Sequence, residues 1–223
     1  MKCWAISDTH GMHGLSFPPD GIDCLIFAGD STNYYDLKSN LVEFDYFLHW
    51  IGGLNITHKI VIAGNHDAWA TRSAYKDKLS ESGIIYLEHS MIEVGGFRFF
   101  GSPYTPTFGN WHFMKDRDKL SRYWEDIPYN LDVLITHGPP KGILDLSLDR
   151  GNAFKQCGDS ALWKAVYRKG PRYHIFGHIH DFDVCKNFGT FKRDTVTTFM
   201  NVSSVEDGKF DKGLVHNGII FEL

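Results

Sequence analysis

The chain has 223 residues, of which 43% are apolar and 22% charged, and its formal net charge is -4 with histidine neutral. This composition is typical of a soluble globular protein. The slightly acidic balance argues against nucleic acid as a partner, since nucleic-acid-binding surfaces are normally basic. Because the sequence contains no repeats, low-complexity tracts or linkers, it predicts one domain over residues 1–223.

The predicted location is cytoplasmic. No apolar run is long enough to cross a membrane, and the N-terminal segment turns polar too early for a signal-peptide core. The four cysteines form no C-x-x-C pair, and Cys3 and Cys24 lie in apolar runs, where buried free thiols are common. We therefore expect neither structural disulfides nor a structural zinc site, and no contact with a membrane.

Five short apolar runs predict strands, and helix-compatible stretches at 37–52, 68–82 and 160–169 lie among them. This alternation is typical of an α/β fold. A hairpin is expected in IEVGGFRFFGSP, turning at Gly95 and Gly96, and further strands in TTFMNVSS and GLVHNGIIFEL. We therefore expect mixed sheets with parallel centres and antiparallel edges. The five runs are KCWAIS, DCLIFA, KIVIA, DVLI and YHIF.

Each of these five runs ends in residues that can bind metals. Ligands of open α/β sheets bind beyond the carboxyl ends of the strands, so these residues are expected to meet in one crevice. Helix N-caps and turns also favour Asp and Asn, which would explain Asp8 or Asp30 taken alone. That alternative does not explain the repeated histidines. The candidate ligands are Asp8, His10, Asp30, Asn65, His137, His178 and His180.

Seven donors are more than one metal needs, so the set predicts two metal ions with a bridging carboxylate. Mixed imidazole and carboxylate ligands suit Mn, Fe, Zn, Co or Ni and argue against a pure calcium site. Two metals about 3.5–4 Å apart form a clamp for phosphoryl transfer, in which a bridging water attacks phosphorus. His66 follows Asn65 directly and is expected to protonate the leaving group, with Asp67 orienting its ring.

Taken in chain order, these motifs resemble the calcineurin-like metallophosphoesterase superfamily. The resemblance implies a four-layer α-β-β-α sandwich of two mixed sheets, with a dinuclear site at the carboxyl ends of the strands. It implies one metal on Asp8, His10, Asp30 and His180, and the other on Asp30, Asn65, His137 and His178. The motifs are Asp8-Thr9-His10, Gly29-Asp30, Gly64-Asn65-His66-Asp67, Thr136-His137-Gly138 and Gly177-His178-Ile179-His180.

A narrower resemblance, over about residues 3–203, is to the metallophosphoesterase-domain (MPPED, or 239-type) family. It is carried by KIVIAGNHD, GFRFFGSPYTP, DVLITHGPPKGILD and HIFGHIHD. It implies a metal-dependent phosphodiesterase acting on small nucleotide-like or cyclic nucleotide diesters. Mn²⁺ is the expected metal, with Fe, Zn, Co or Ni as alternatives.

Protein Ser/Thr phosphatases of the superfamily carry Arg within an extended G-D motif and before G-N-H. Here the residues after Gly29-Asp30 are Ser31-Thr32-Asn33-Tyr34-Tyr35, and Ala63 precedes Gly64. These departures favour a diester, which carries one negative charge, over a monoester dianion. A phosphomonoesterase or a nuclease of the superfamily, or a nucleotide-binding module with weak catalysis, are the alternatives. The oligomeric state stays open.

The segment SPYTPTFGNWHF, residues 102–113, is rich in Pro, Gly and aromatic residues. Tyr104, Phe108 and Trp111 are candidates for stacking on a nucleobase, and His112 or Asn33 for contacting phosphate. The alternative is a loop packed on the core by its own aromatic side chains.

Overall fold

The computed structural model describes residues 1–148, 153–192, 196–207 and 212–223. Within these ranges the helices are α1 (Leu37–Gly53), α2 (Ser73–Glu81), α3 (Arg117–Tyr123) and α4 (Ser160–Lys169). The strands are β1 (Lys2–Ile6), β2 (Cys24–Ala28), β3 (His58–Ile62), β4 (Ile85–Tyr86), β5 (Ser90–Val94), β6 (Phe97–Ser102), β7 (Thr105–Pro106), β8 (Met114–Lys115), β9 (Val133–Thr136), β10 (Leu146–Leu148), β11 (Phe154–Gln156), β12 (Tyr173–Phe176), β13 (Gly189–Phe191), β14 (Thr198–Asn201) and β15 (Ile219–Glu222).

The first sheet has the strand order β15-β1-β2-β3-β4. Strands β1 to β4 pair in parallel, and β15 is antiparallel to β1. All five residues of β2 are buried, as expected for a central parallel strand covered on both faces. One edge of this sheet is therefore antiparallel, as predicted, whereas the β4 edge is parallel.

The second sheet has the order β13-β14-β12-β9-β6-β5. Its centre is parallel and both edges are antiparallel, which confirms the prediction of mixed sheets. Strands β5 and β6 form the predicted hairpin, with Val94 opposite Phe97. Gly95 and Gly96 have φ angles of 59° and 82°, the left-handed conformations that a two-residue type I′ turn requires.

Apolar side chains alternate along the central strands because successive residues of a strand point to opposite faces. In β2, Cys24, Ile26 and Ala28 pack in a core cluster that includes residues of both sheets. Leu25 and Phe27 belong to a second cluster, with side chains of α1 and α2. A third cluster joins the second sheet to α3 and α4. The fold is thus a mixed α/β fold in which each sheet packs on its own helices.

The predicted helices agree with the structure in two cases and differ in one. The predicted helix at 160–169 matches α4, which begins after Asp159, whose side chain accepts a hydrogen bond from the Leu162 amide. The predicted helix at 37–52 matches α1 within one residue. The predicted helix at 68–82 is divided into a 3-10 turn, Ala68–Thr71, and α2. Across the four described ranges, none of the helices has the length and apolar character needed to span a bilayer.

Candidate metal centre

The predicted ligands follow five central strands and come together at one edge of the two sheets. Asp8, Asp30 and Asn65 follow β1, β2 and β3 of the first sheet, while His137 and His178 follow β9 and β12 of the second. Their donor atoms form three overlapping groups, and within each group all donor atoms lie within 4.8 Å of one another. The groups are Asp8, His10 and His180; His10, Asp30 and His66; and Asp30, His137 and His178.

The first group is held in one protonation pattern by hydrogen bonds on its outer side. Nδ1 of His10 lies 3.3 Å from the Thr32 carbonyl oxygen, and Nδ1 of His180 lies 2.6 Å from Oδ1 of Asp207. Each acceptor requires a hydrogen on Nδ1, which leaves Nε2 of a neutral ring with a bare lone pair. The Nε2 atoms of His10 and His180 face each other at 3.4 Å, and Oδ1 of Asp8 lies 3.3 Å from Nε2 of His180.

The third group, Asp30, His137 and His178, is built in the same way across the two sheets. Nδ1 of His137 donates to the carbonyl oxygen of Ala28 in β2, at 3.0 Å. Its Nε2 atom lies 3.0 Å from Oδ1 of Asn65 and 3.2 Å from Oδ2 of Asp30. The ring of His178 lies 4.9 Å from that of His137, centroid to centroid. Carbonyl, carboxylate and imidazole acceptors therefore converge on a common space.

Converging acceptors need a positive charge between them, and this donor set fits divalent transition metals. Two pKa shifts also indicate that a positive charge is favoured at this position. Burial lowers the pKa of His180, but Asp207 and Asp8 overcome it and raise the pKa to about 10. Burial likewise opposes the charged form of His137, but Asp30 raises its pKa to about 9. A bound cation would compete with these protons.

At the other two rings, the effect of burial on the pKa outweighs the attraction of Asp30 and Asp8. Burial lowers the pKa of His10 to about 4 and that of His178 to about 3. Burial raises the pKa of Asp8, yet the hydrogen bond and charge of His180 bring it down to about 2. At neutral pH the metal-free centre thus contains ionised carboxylates, neutral His10 and His178, and protonated His137 and His180. A bound cation would replace the two extra protons, because a metal ligand must be deprotonated.

Four of the candidate ligands have backbone conformations that residues other than glycine rarely adopt. The φ angles are 53° for Asp8, 45° for His10, 55° for Asp30 and 67° for His178. A left-handed conformation is unfavourable for any residue with a Cβ atom and persists where the surrounding structure enforces it. Clustering of such residues is a mark of functional sites, and here it coincides with the predicted ligands.

Glycine is required beside these ligands because there is no room for a side chain. A Cβ atom on Gly64 would lie 2.2 Å from Oδ1 of Asp30, and one on Gly177 would lie 2.0 Å from Oδ2 of Asp8. Real Cβ contacts are never this short. The glycines of the G-N-H-D and G-H-x-H motifs thus allow the two carboxylates to approach the neighbouring loops.

His66 lies at the rim of the centre, with its ring centroid 4.8 Å from that of His10. Its Nδ1 atom is 2.9 Å from the Asn33 carbonyl oxygen, and since a carbonyl only accepts, Nδ1 carries the hydrogen. The prediction that Asp67 orients His66 is wrong. The Asp67 carboxylate accepts hydrogen bonds from Asp30, Thr32 and other donors in the loops after β2 and β3. Its role is to join those two loops.

The predicted substrate-contacting residues fall into two locations. Trp111 packs on the ring of His66, at 4.2 Å between centroids, and His112 lies under Tyr35, at 6.0 Å. Asn33 holds His66 through its backbone oxygen. Tyr104 instead packs between Tyr123 and other aromatic rings, with the Lys115 ammonium 4.3 Å from its centroid. A substrate role for these four residues stays a prediction, and Tyr104 is placed in a separate aromatic cluster.

Sequence reasoning missed two polar residues that support the centre. Asp207 binds Nδ1 of His180, and Asn40 of α1 donates to the carbonyl oxygen of His66. Asp207 comes after a short stretch of isolated bridges, without a strand pattern to mark it. Asn40 had a weak signal, because asparagine is unfavourable inside a helix unless its side chain has partners.

Fold and site together define an α/β protein with a candidate metal centre at the carboxyl ends of its strands. The chain belongs to the calcineurin-like phosphoesterase family, whose family model matches residues 1–182. The predicted superfamily resemblance is confirmed by this match.

Two curated relatives confirm the narrower resemblance. Metallophosphoesterase domain-containing protein 1 of Homo sapiens is 34% identical over 223 residues, which cover 89% of this chain and 64% of the human protein. A UPF0046 protein of Caenorhabditis elegans is 33% identical over 227 residues, covering 93% of this chain and 71% of that protein. The chain therefore spans less than two thirds of the length of its human relative.

A solved structure shares the fold. The phosphopantetheinyl hydrolase of Mycobacterium tuberculosis aligns with a TM-score of 0.60 and 16% sequence identity, covering 100% of this chain and 95% of that chain. At this identity the similarity extends to the fold alone.

Proposed function

We propose that this chain hydrolyses phosphodiesters with two divalent cations held at the candidate metal centre. The observation that carries the proposal is the overlap of the three donor groups, in which Asp30 and His10 each belong to two. Overlapping groups suit two neighbouring cations that share a carboxylate. In the proposed assignment, one cation would be held by Asp8, His10 and His180 and the other by Asn65, His137 and His178, with Asp30 shared by both.

Divalent cations bound there would neutralise charge on the phosphoryl oxygens and make a water molecule a better nucleophile. The role of this chain's own residues is to position the ester and to protonate its leaving oxygen. The Asn33 carbonyl fixes Nδ1 of His66, so Nε2 is the atom from which a proton can reach the leaving oxygen. Trp111 covers one face of the His66 ring and limits its rotation. We assign His66 as the general acid on this basis.

A diester is the proposed substrate, in the form of small nucleotide-like or cyclic nucleotide esters. Support comes from Tyr34 and Ala63, which stand where phosphatases that bind a dianion carry Arg. Further support comes from aromatic rings beside the centre. Phe108 is 61% exposed and its ring centroid lies 5.2 Å from that of His178. A planar ester group could stack there. Mn²⁺ is the proposed metal, and a four-layer sandwich is the proposed layer arrangement.

The proposal is tested with metal-stripped protein reloaded with Mn²⁺. The substrates are bis-p-nitrophenyl phosphate, p-nitrophenyl phosphate and the 2′,3′- and 3′,5′-cyclic nucleotides. We expect metal-dependent turnover of the diesters. The His66→Ala variant should keep its metal and lose turnover, most strongly for alkoxide leaving groups, whereas Asp30→Asn should lose metal as well.

The phosphomonoesterase and binding-module alternatives each have their own outcome in this experiment. Preference for p-nitrophenyl phosphate would replace the diesterase assignment by a phosphomonoesterase. Full metal occupancy without turnover of any ester, together with tight nucleotide binding, would indicate a binding module. Loss of metal in His66→Ala would show that His66 is a ligand, in line with its place in the second donor group.

A further inference from the structure

Asn40 of α1 is a fully buried side chain that connects the helix to the loops around His66. Its Nδ2 atom lies 2.7 Å from the His66 carbonyl oxygen, 2.7 Å from the Tyr34 carbonyl oxygen and 2.8 Å from Oγ1 of Thr32. Its Oδ1 atom accepts a hydrogen bond from the Trp69 amide, at 2.9 Å. One carboxamide thus contacts the loop after β2 and the loop after β3.

The position of this residue is unfavourable for the helix alone. Asparagine lowers helix propensity because its side chain competes for backbone hydrogen bonds. The other buried residues of α1 are apolar: Phe44, Phe47 and Ile51. A buried carboxamide at this position is stable only because all of its polar atoms have partners. The contribution of Asn40 to stability therefore depends on the geometry of the loops with which it forms hydrogen bonds.

A second residue on the same side of α1 contacts the loop that holds the His66 ring. Oε2 of Glu43 accepts hydrogen bonds from the amides of Asn33, at 2.6 Å, and Tyr34, at 3.1 Å. Asn40 and Glu43 are three residues apart and so lie on one helix face. The Asn33 carbonyl in turn accepts from Nδ1 of His66. Helix α1 therefore restrains His66 at two points. Asn40 binds the His66 carbonyl oxygen, and Glu43 binds the backbone of Asn33, whose carbonyl oxygen accepts from the His66 ring.

We propose that Asn40 is a positioning residue for His66, with Glu43 as a second anchor of the same ring. The two side chains fix the distance between the His66 backbone and the Asn33 carbonyl, and so aim Nε2 of the ring at the leaving oxygen. Within the described ranges, the hydrogen bonds of these two side chains go to the loops around His66 and to none of the seven assigned metal ligands. This inference rests on the proposed function, in which His66 protonates the leaving group.

The test is a double-mutant cycle on the full chain loaded with Mn²⁺. The variants are Asn40→Ala, His66→Ala and the double substitution. Two thymidine 5′-phosphate aryl esters serve as substrates, one with a p-nitrophenyl and one with a phenyl leaving group, so that only the need for an acid differs. General acid catalysis contributes about 10²–10⁴-fold. We expect Asn40→Ala to lower kcat for the phenyl ester at least about 10-fold, with a much smaller change for the p-nitrophenyl ester and in KM.

The decisive comparison is the His66→Ala background. If Asn40 acts through His66, the double variant should be no slower than His66→Ala alone, because the effects of residues that act as a unit are not additive. Equal loss on both esters, or the same loss in both backgrounds, would mean that Asn40 only stabilises the fold and would overturn the inference. If His66→Ala itself leaves the phenyl ester unaffected, the acid assignment fails, and this inference fails with it.

Two further variants keep the result interpretable. Glu43→Ala, at a half-buried position, runs through the same cycle and should show the same leaving-group dependence even if Asn40→Ala does not fold. Asn217→Ala is the matched control, since Asn217 also binds backbone groups, those of Phe17, away from the candidate centre. It should leave kcat for both esters unchanged. Metal content is measured for every variant and should equal that of the wild type.

Discussion

Oδ1 of Asp207 lies 2.6 Å from Nδ1 of His180, on the side of the ring opposite Asp8. A carboxylate behind a ligating histidine fixes the ring tautomer, and its loss typically weakens metal binding about 10–100-fold. We expect Asp207→Asn to weaken Mn²⁺ binding by this amount, measured by titration calorimetry of the metal-free protein.

The matched control for Asp207 is Asp77→Asn, an exposed aspartate of α2, which should bind Mn²⁺ as the wild type does. If both variants bound the metal equally, the contact between Asp207 and His180 would have no part in metal binding.

Gly64 should not tolerate alanine, because the added Cβ would lie 2.2 Å from Oδ1 of Asp30. We expect Gly64→Ala to fold less stably and to lose metal, as judged by metal analysis after dialysis. Gly52→Ala offers the contrast: Gly52 lies in α1 with open space around it, and alanine there should raise the free energy of unfolding by roughly 0.5–1 kcal/mol. Retention of full metal content by Gly64→Ala would contradict the close-packing argument.

His174 should make the free energy of unfolding depend on pH. It is fully buried in β12, and burial lowers its pKa to about 3. The unfolded chain, with an ordinary histidine pKa of about 6.5, therefore binds one more proton between these values, and stability falls as pH decreases below about 6.5.

Urea denaturation of the metal-free protein at pH 7 and pH 5 measures this effect. The wild type should lose about 2 kcal/mol more than His174→Gln over this interval. An equal loss in both proteins would place the pH dependence elsewhere.

Phe108 should select substrates by their second ester group. We expect Phe108→Ala to raise KM for bis-p-nitrophenyl phosphate about 2–10-fold, the range expected for one aromatic contact. KM for methyl p-nitrophenyl phosphate, which has the same leaving group and no second ring, should change little. Phe17→Ala, at a 75% exposed phenylalanine whose backbone binds Asn217, is the control. Equal KM changes for both esters would exclude stacking on Phe108.

Removal of metal should lower the melting temperature. A ligand that binds only the folded chain stabilises it by mass action. Scanning calorimetry with and without a chelator, and after adding Mn²⁺ back, checks the effect. Asp30→Asn should respond far less to the chelator, and a wild type that does not respond would argue against a metal in this centre.

The sequence predicted the central strands and the residues at their ends because both depend on local patterns. Continuous apolar runs such as that of β2 can only be buried, and the motifs after them are short. Short elements were missed. Helix α3 has one buried residue, Leu120, and strands β10 and β11 are largely exposed, so neither carries a clear periodicity.

The roles of Asp67 and Asn40 could not be predicted, since they depend on which loops meet. Adjacency in sequence suggested that Asp67 orients His66, but residues 65 and 66 form a turn, in which neighbouring side chains diverge. Asp67 therefore points inward to the loop after β2, and the ring of His66 meets Asn33 from a distant part of the sequence. The left-handed conformations of four ligands likewise follow from tertiary structure.

The candidate ligands come from both sheets: His10 and Asp30 follow strands of the first, and His137 and His180 follow strands of the second. No fragment containing only one sheet has the complete set, so the centre can form only after the two halves of the fold have docked. A cation held there would be bound by residues of both sheets and would slow their separation. Metal loading would then be a late event in the maturation of the chain, and the loaded protein should resist proteolysis for longer than the metal-free protein.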